Sequence, residues 1–156
     1  MIGIDINVDG LKEIEVKFTN IPKTASKGVR KEINAGIKSI HADIIKSLDS
    51  ISHGRTYIKK GGKVHVASKP GDAPNNDTGN LKRQIRMYTG REMVTKGYSA
   101  SVRTRAPYSQ VLENGTKKTD NLKPRPFMEP ALKKNIKTIR DNIEKAVAGS
   151  VRKFLK

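Results

Sequence analysis

The chain has 156 residues, and its 32 Lys and Arg against 15 Asp and Glu give a formal net charge of +17. This length is typical of one domain, and 35% hydrophobic with 4% aromatic residues predicts a thin aliphatic core that neighbouring subunits complete. The absence of cysteine excludes disulfides and thiolate metal sites, and no run approaches the ~18 apolar residues of a membrane span. The positive charge indicates a nucleic acid or an acidic protein as partner.

The N-terminal twenty residues contain one clear strand and one ambiguous segment. Residues 2–8 alternate between apolar and polar side chains, which predicts a half-buried strand. Residues 11–18 have apolar positions at both helical and strand spacing; we favour a short helix capped by Asp9 and leave a hairpin strand open as the alternative. The first residues lack the basic region of a secretory signal, so we expect a protein that is made and used in the cytoplasm or in a particle assembled there.

Two long amphipathic helices are predicted, over residues 21–51 and 128–155. Their apolar residues recur every three or four positions, as on one face of a helix. The first stripe is Ala25, Val29, Ile33, Ile37, Ile40, Ile44, Leu48 and Ile51, and the second is Leu132, Ile136, Ile139, Ile143, Val147, Val151 and Phe154. The opposite face of the first helix carries Lys27, Arg30, Lys31, Lys38 and Lys46.

Between these helices, residues 55–104 are predicted to form most of a sheet. Gly61-Gly62 separates two β-prone runs and indicates a two-residue hairpin turn. Residues 68–79 have the composition of a long exposed loop, and two further strands follow, near residues 85–88 and 98–103. We therefore predict a single α+β domain, residues 1–156, in which a small, mostly antiparallel sheet packs against the long N-terminal and C-terminal helices.

Three blocks of sequence carry a resemblance to a known family. The first block is Ser68 to Leu81, which ends in Thr78-Gly79-Asn80-Leu81. The second is a short helix in residues 106–115, which begins with Pro107-Tyr108 and leads to Glu113-Asn114-Gly115-Thr116. The third is Arg125-Pro126-Phe127, at the end of a loop over residues 116–126. In this order they resemble the head–tail joining, or tail-completion, proteins of long-tailed bacteriophages. Asn114 stands where that family usually has an aromatic residue.

The resemblance implies a structural role and no catalysis or cofactor. The chain would be a virion neck subunit, assembled in the bacterial host cytoplasm, that forms a hexameric ring through which double-stranded DNA passes without sequence recognition. Its protein partners would be copies of itself and the adjacent adaptor or stopper, tail terminator or tail tube; no membrane is involved. A role as tail terminator or head-completion stopper is the alternative within this class.

Three groups of residues are candidates for function. A basic strand face would contact DNA or an acidic partner: Arg83, Arg86, Arg103 and Arg105. The resemblance implies that two loops contact neighbouring subunits through Lys69, Pro70, Asp72, Lys117, Lys118 and Arg125. The motif residues that we expect to hold the last two blocks together are Tyr108, Leu112, Glu113, Gly115 and Phe127.

An alternative of another class is a basic nucleic-acid-binding protein or a metal-dependent nuclease. Glu15-Val16-Lys17, with Glu13 nearby, matches the Glu-x-Lys fragment in which a carboxylate holds the metal ion. His53 beside Arg55 could act as a base, but we favour a turn between helix and strand. Tyrosines among basic residues are typical of base stacking, yet we favour packing in the core or at an interface for all four: Tyr57, Tyr88, Tyr98 and Tyr108.

Overall fold

The computed structural model describes residues 3–9, 13–19, 25–93, 97–116 and 122–154. Six strands and four helices follow one another in these ranges. They are β1 Gly3–Asp9, β2 Glu13–Thr19, α1 Ser26–Asp49, β3 Thr56–Ile58, β4 Val64–Val66, α2 Asn80–Gln84, β5 Ile85–Met93, β6 Gly97–Thr104, α3 Ser109–Asn114 and α4 Glu129–Phe154.

The main sheet has four antiparallel strands in the order β1-β2-β6-β5. Ile14 and Val16 of β2 lie opposite Val102 and Ala100 of β6, and all four are buried. Because alternate residues of a strand face opposite sides, this register gives the sheet one apolar face, which α1 covers. Strands β3 and β4 form a separate two-stranded hairpin.

Helix α1 is the central element, because it contacts both the sheet and α4. Its stripe from Ala25 to Leu48 is at most 2% exposed. A Cβ atom at Gly36 would lie only 2.6 Å from Ile139 Cγ1, so this glycine lets α4 approach closely. The fold therefore consists of a sheet on one side of α1 and the C-terminal helix on another.

A polar cluster joins α1 to α4 beside this apolar contact. Asp43 accepts hydrogen bonds from Lys134 Nζ and Asn135 Nδ2, both at 2.7 Å. These bonds lower the pKa of the Asp43 carboxyl below its ordinary value, and the positive charge of Lys134 adds to the effect. The ionised carboxylate thus stabilises the docking of the two helices.

The α+β class, the sheet and the two long helices are confirmed. Residues 13–19 form a strand, so the short helix that we favoured for this segment is wrong; pairing with β6 selects the strand alternative. Helix α1 ends at Asp49, which leaves Ile51 outside the apolar stripe and 77% exposed. A hairpin forms around Gly61-Gly62, but it does not join the main sheet. Its loop has three residues, Lys60 to Gly62, instead of the predicted two, because the N–H of Lys59 already bonds to the carbonyl of Lys63. Helix α4 packs chiefly on α1.

Candidate functional site

The buried carboxylate of Glu113 joins α3 to the start of α4. This side chain is 2% exposed, and it accepts hydrogen bonds from three successive backbone N–H groups. Oε2 lies 2.9 Å from the nitrogen of Phe127 and 3.1 Å from that of Met128, and Oε1 lies 2.9 Å from that of Glu129. The first N–H groups of a helix have no intrahelical acceptor and carry partial positive charge, so a carboxylate there is stabilising. Glu113 therefore caps α4 from another helix.

The chain leaves α3 through a conformation that requires glycine. Gly115 has φ 72° and ψ −178°, a region that other residues avoid. A Cβ atom at this position would also lie 2.4 Å from the carbonyl oxygen of Leu122. That carbonyl accepts the N–H of Thr116, and the N–H of Arg125 bonds to Leu112, so the chain returns to α3. Gly115 and Glu113 thus hold the second and third sequence blocks together.

The loop at residues 68–79, predicted from its composition as a long exposed loop, is anchored by side-chain hydrogen bonds. The amide of Asn75 bonds to the backbone N–H and carbonyl of Ser52 and to the carbonyl of Val66. Ser52 Oγ donates to Asp72 at 2.6 Å. This anchoring brings the loop to the α3–α4 connection, where the N–H of Gly71 bonds to Pro124 and Arg125 Nε donates to the carbonyl of Ser68.

A cleft of about 480 Å³ lies where the three sequence blocks meet. Loop residues 74–79, Tyr108 and Leu112 of the second block, and Arg125 of the third all line it. Asn80 Nδ2 donates to the hydroxyl of Tyr108 across 3.1 Å. At the hairpin side of the cleft, Asp77 pairs with Lys59, which lowers the pKa of this carboxyl.

The motif residues occupy two neighbouring environments. Phe127, 1% exposed, belongs to the apolar core, and the half-buried Leu112 packs against that core. Tyr108 is 40% exposed and lies in the cleft, so it is not part of the core. The junction between α3 and α4 therefore has an anchored part, formed by Glu113, Gly115 and Phe127, and an exposed part, which is the cleft.

The arginines assigned to one basic strand face lie in different surroundings. Arg103 bonds to Glu13 at 2.5 Å and lies over the ring of Tyr88, whose hydroxyl accepts from Arg105. Arg86 is exposed and lies opposite Arg103 in the strand register. Arg83, in contrast, belongs to helix α2 and donates to the carbonyl of Thr78, so its assignment to the strand face is wrong.

The hairpin β3–β4 presents apolar side chains to solvent, a feature that the sequence analysis did not single out. Ile58 and Val64 are directly paired across the hairpin and are 72% and 59% exposed. Ile51, just after α1, is 77% exposed. The sequence signal for this exposed surface was the presence of three large aliphatic residues, Ile51, Ile58 and Val64, near the Gly61-Gly62 turn, in a segment too short to bury them.

The remaining candidates are divided by their surroundings. Lys69, Pro70 and Asp72 are exposed, Arg125 is partly buried, and Lys117 and Lys118 lie outside the described residues. Packing is the role of Tyr98, which is buried and bonds to Asn34, whereas the other three tyrosines are 37–44% exposed. Those three tyrosines are therefore outside the core, and their packing at an interface stays a prediction.

The described ranges give the nuclease alternative no support in their geometry. Glu13 is engaged by Arg103, and His53 is an exposed residue between α1 and β3. Within these ranges, no three His, Asp or Glu side chains lie together in a way that could hold a metal ion. None of the helices traced here is long and apolar enough to cross a bilayer. Comparisons with family models, curated proteins and solved structures gave no match to this chain.

Proposed function

We propose that this protein is a structural subunit of the neck of a tailed bacteriophage, acting in tail completion or head–tail joining. The observation that carries the proposal is the convergence of the three sequence blocks that resemble this family. Residues 82–105 separate the first block from the other two along the chain, yet all three share one cleft and one network of hydrogen bonds to backbone groups. A chance match of short motifs gives no reason for such convergence.

The exposed apolar hairpin supports an assembly role. Scattered apolar residues are normal on a surface, but a directly paired Ile58 and Val64, with Tyr57 44% exposed on the same strand, concentrate apolar area on one projecting element. Contact with a neighbouring subunit would bury this area. Heterologous contacts that close produce a ring, and we propose a hexameric one, stacked on the other neck proteins.

Duplex DNA passing through the ring is the second part of the proposal. With a net charge of +17, the chain can line a lumen for a polyanion without reading its sequence. An acidic face of the adjacent ring or tail tube is the alternative partner for the same charge.

Gene inactivation tests the proposed function. Portal, adaptor and tail-tube genes are expected beside the coding sequence, and inactivating it is expected to give filled heads and complete tails that do not join, as seen by negative-stain electron microscopy. Joined particles, or heads that fail to fill with DNA, would overturn the proposal.

A matched pair of variants then tests the hairpin in the same complementation assay. Ile58→Asp should fail to restore joining, because a charge replaces an exposed contact residue. Val151→Asp changes a residue of similar apolar character, 43% exposed on α4, and should restore joining. Equal restoration by both variants would remove the hairpin from the subunit contact. The melting temperature of each purified variant shows whether it is folded.

A further inference from the structure

We propose that the surface of this protein that contacts duplex DNA is a stripe of lysines on α1. The lysine stripe is defined as Lys27, Lys31, Lys38 and Lys46, together with the alanines between them, Ala35 and Ala42. The identity of the ligand, duplex DNA, rests on the proposed function; the inference adds which surface of the protein contacts it.

The stripe occupies the side of α1 that lies between its sheet-facing side and its α4-facing side. At 100° per residue, Gly28 and Gly36 mark the side facing α4, where Ala146 and Ile139 lie against them. Asn34 marks the side facing the sheet, since it bonds to Tyr98. The four lysines and two alanines fall within an arc of about 100° on the third side, and all six are exposed.

The charges of the stripe are largely available to a ligand, although Lys46 also acts on the carboxylate of Asp43. None of its four lysines forms an ion pair with another side chain in the described ranges. Asp49, which lies on the same side of the helix, is already paired with Lys82 at 2.7 Å. By contrast, Arg103 and Arg105 on the sheet face have partners within the chain, so this face offers less free charge.

The composition of the stripe favours a phosphate backbone over a protein surface. Protein interfaces are enriched in aromatic residues, Met and Arg and depleted in Lys. The exposed side chains of this arc are the four lysines, the two alanines and Asp49, whose charge Lys82 already neutralises. Lysine binds phosphate as a point charge, and the small alanines allow a rod-like polyanion to come close to the helix. The stripe has no side chain suited to reading bases, so the contact is blind to sequence.

The dimensions of the stripe fit several contacts to one duplex. From Lys27 to Lys46 the helix rises about 28 Å, at ~1.5 Å per residue. A duplex carries roughly one charge per 1.7 Å of axis, hence about 17 charges over that length. Four lysines within one arc of the helix can therefore contact one duplex together.

The test compares two variants of equal net charge. The stripe variant is Lys27→Gln, Lys31→Gln, Lys38→Gln and Lys46→Gln, and the control variant carries the same change at four exposed lysines elsewhere: Lys123, Lys133, Lys137 and Lys145. A fluorescent duplex of about 30 base pairs is titrated with each protein across a salt series. Thermal unfolding shows that both variants remain folded, as is expected for exposed lysines.

The slope of log affinity against log salt is the deciding quantity. The stripe variant should lose about 3–4 from this slope, at roughly 0.9 for each phosphate contact, while the control variant keeps nearly the parent slope. Equal losses in the two variants would show that net charge alone acts, and an unchanged stripe variant would show that another surface binds; either overturns the proposal. So would a stripe variant that keeps duplex binding and loses binding to poly-glutamate, because the partner would then be an acidic protein. These titrations use the isolated chain, so their outcome is separate from the head–tail joining assay.

Discussion

Replacing Glu113 with alanine should destabilise the protein more than any exposed substitution. The change removes the acceptor of three backbone N–H groups at the start of α4, of which those of Phe127 and Met128 are buried. A buried donor left without a partner costs about 1–3 kcal/mol, and bonds to a charged acceptor lie in the upper part of that range. Because Glu129 is partly exposed and can reach water, we expect a total loss of about 3–5 kcal/mol.

Urea unfolding at neutral pH measures this loss. With a slope of about 2 kcal/mol per molar, the midpoint should fall by roughly 2 M, and the melting temperature should fall by about 10 °C. Glu113→Gln keeps one acceptor oxygen but loses the charge, so its loss should lie between those of the parent and the alanine variant. Glu144→Ala, an exposed glutamate on the same helix, is the matched control and should change stability by about 0.5 kcal/mol or less. A Glu113→Ala variant within about 1 kcal/mol of the parent would refute the capping role.

Three further predictions concern the core and the contact between the long helices. Phe127→Ala should cost about 3–5 kcal/mol in the free energy of unfolding, measured with urea, because the ring is 1% exposed. Gly36→Ala should be at least about 1 kcal/mol less stable than Gly149→Ala, since a Cβ meets Ile139 at the first position and open space at the second; equal melting temperatures would contradict this. Asp43→Asn should lose up to about 1 kcal/mol at neutral pH. Because folding lowers the pKa of the Asp43 carboxyl, this stabilisation is complete at pH values above its ordinary pKa near 3.8 and disappears as the pH falls through the lowered pKa. The unfolding curves of the parent and the variant should therefore converge in acid.

The parts of the fold that were predictable are those whose pattern is long and local. Each long helix repeats its apolar spacing over six or more turns, and the Gly61-Gly62 turn selects a hairpin through the positive φ of both residues, 103° and 83°. Strand β2 was ambiguous because its few apolar residues fit either period. Its structure is decided by pairing with β6, about 85 residues later, which no local pattern reports.

The candidate site was predictable in its residues but only partly in its geometry. Glu113, Gly115 and Phe127 were recognised as a motif, yet the capping of α4 by Glu113 depends on how a loop returns and has no local signal. Arg83 was assigned to a strand because α2, five residues long, ends only one residue before Ile85 begins β5. The lysines of α1 were visible in the sequence, but their availability depends on which side of the helix the sheet and α4 cover.

The central position of α1 has a mechanical consequence. Helix α4 is held chiefly by α1, whereas the strands of the sheet are held by their own pairing. Tension applied at the C-terminal end would therefore act first on the contact between the two helices. That contact is a row of apolar side chains with the Asp43 cluster beside it, and it can separate without breaking a strand pair. We therefore expect that pulling on the C-terminal helix separates it from α1 before the strands of the sheet come apart.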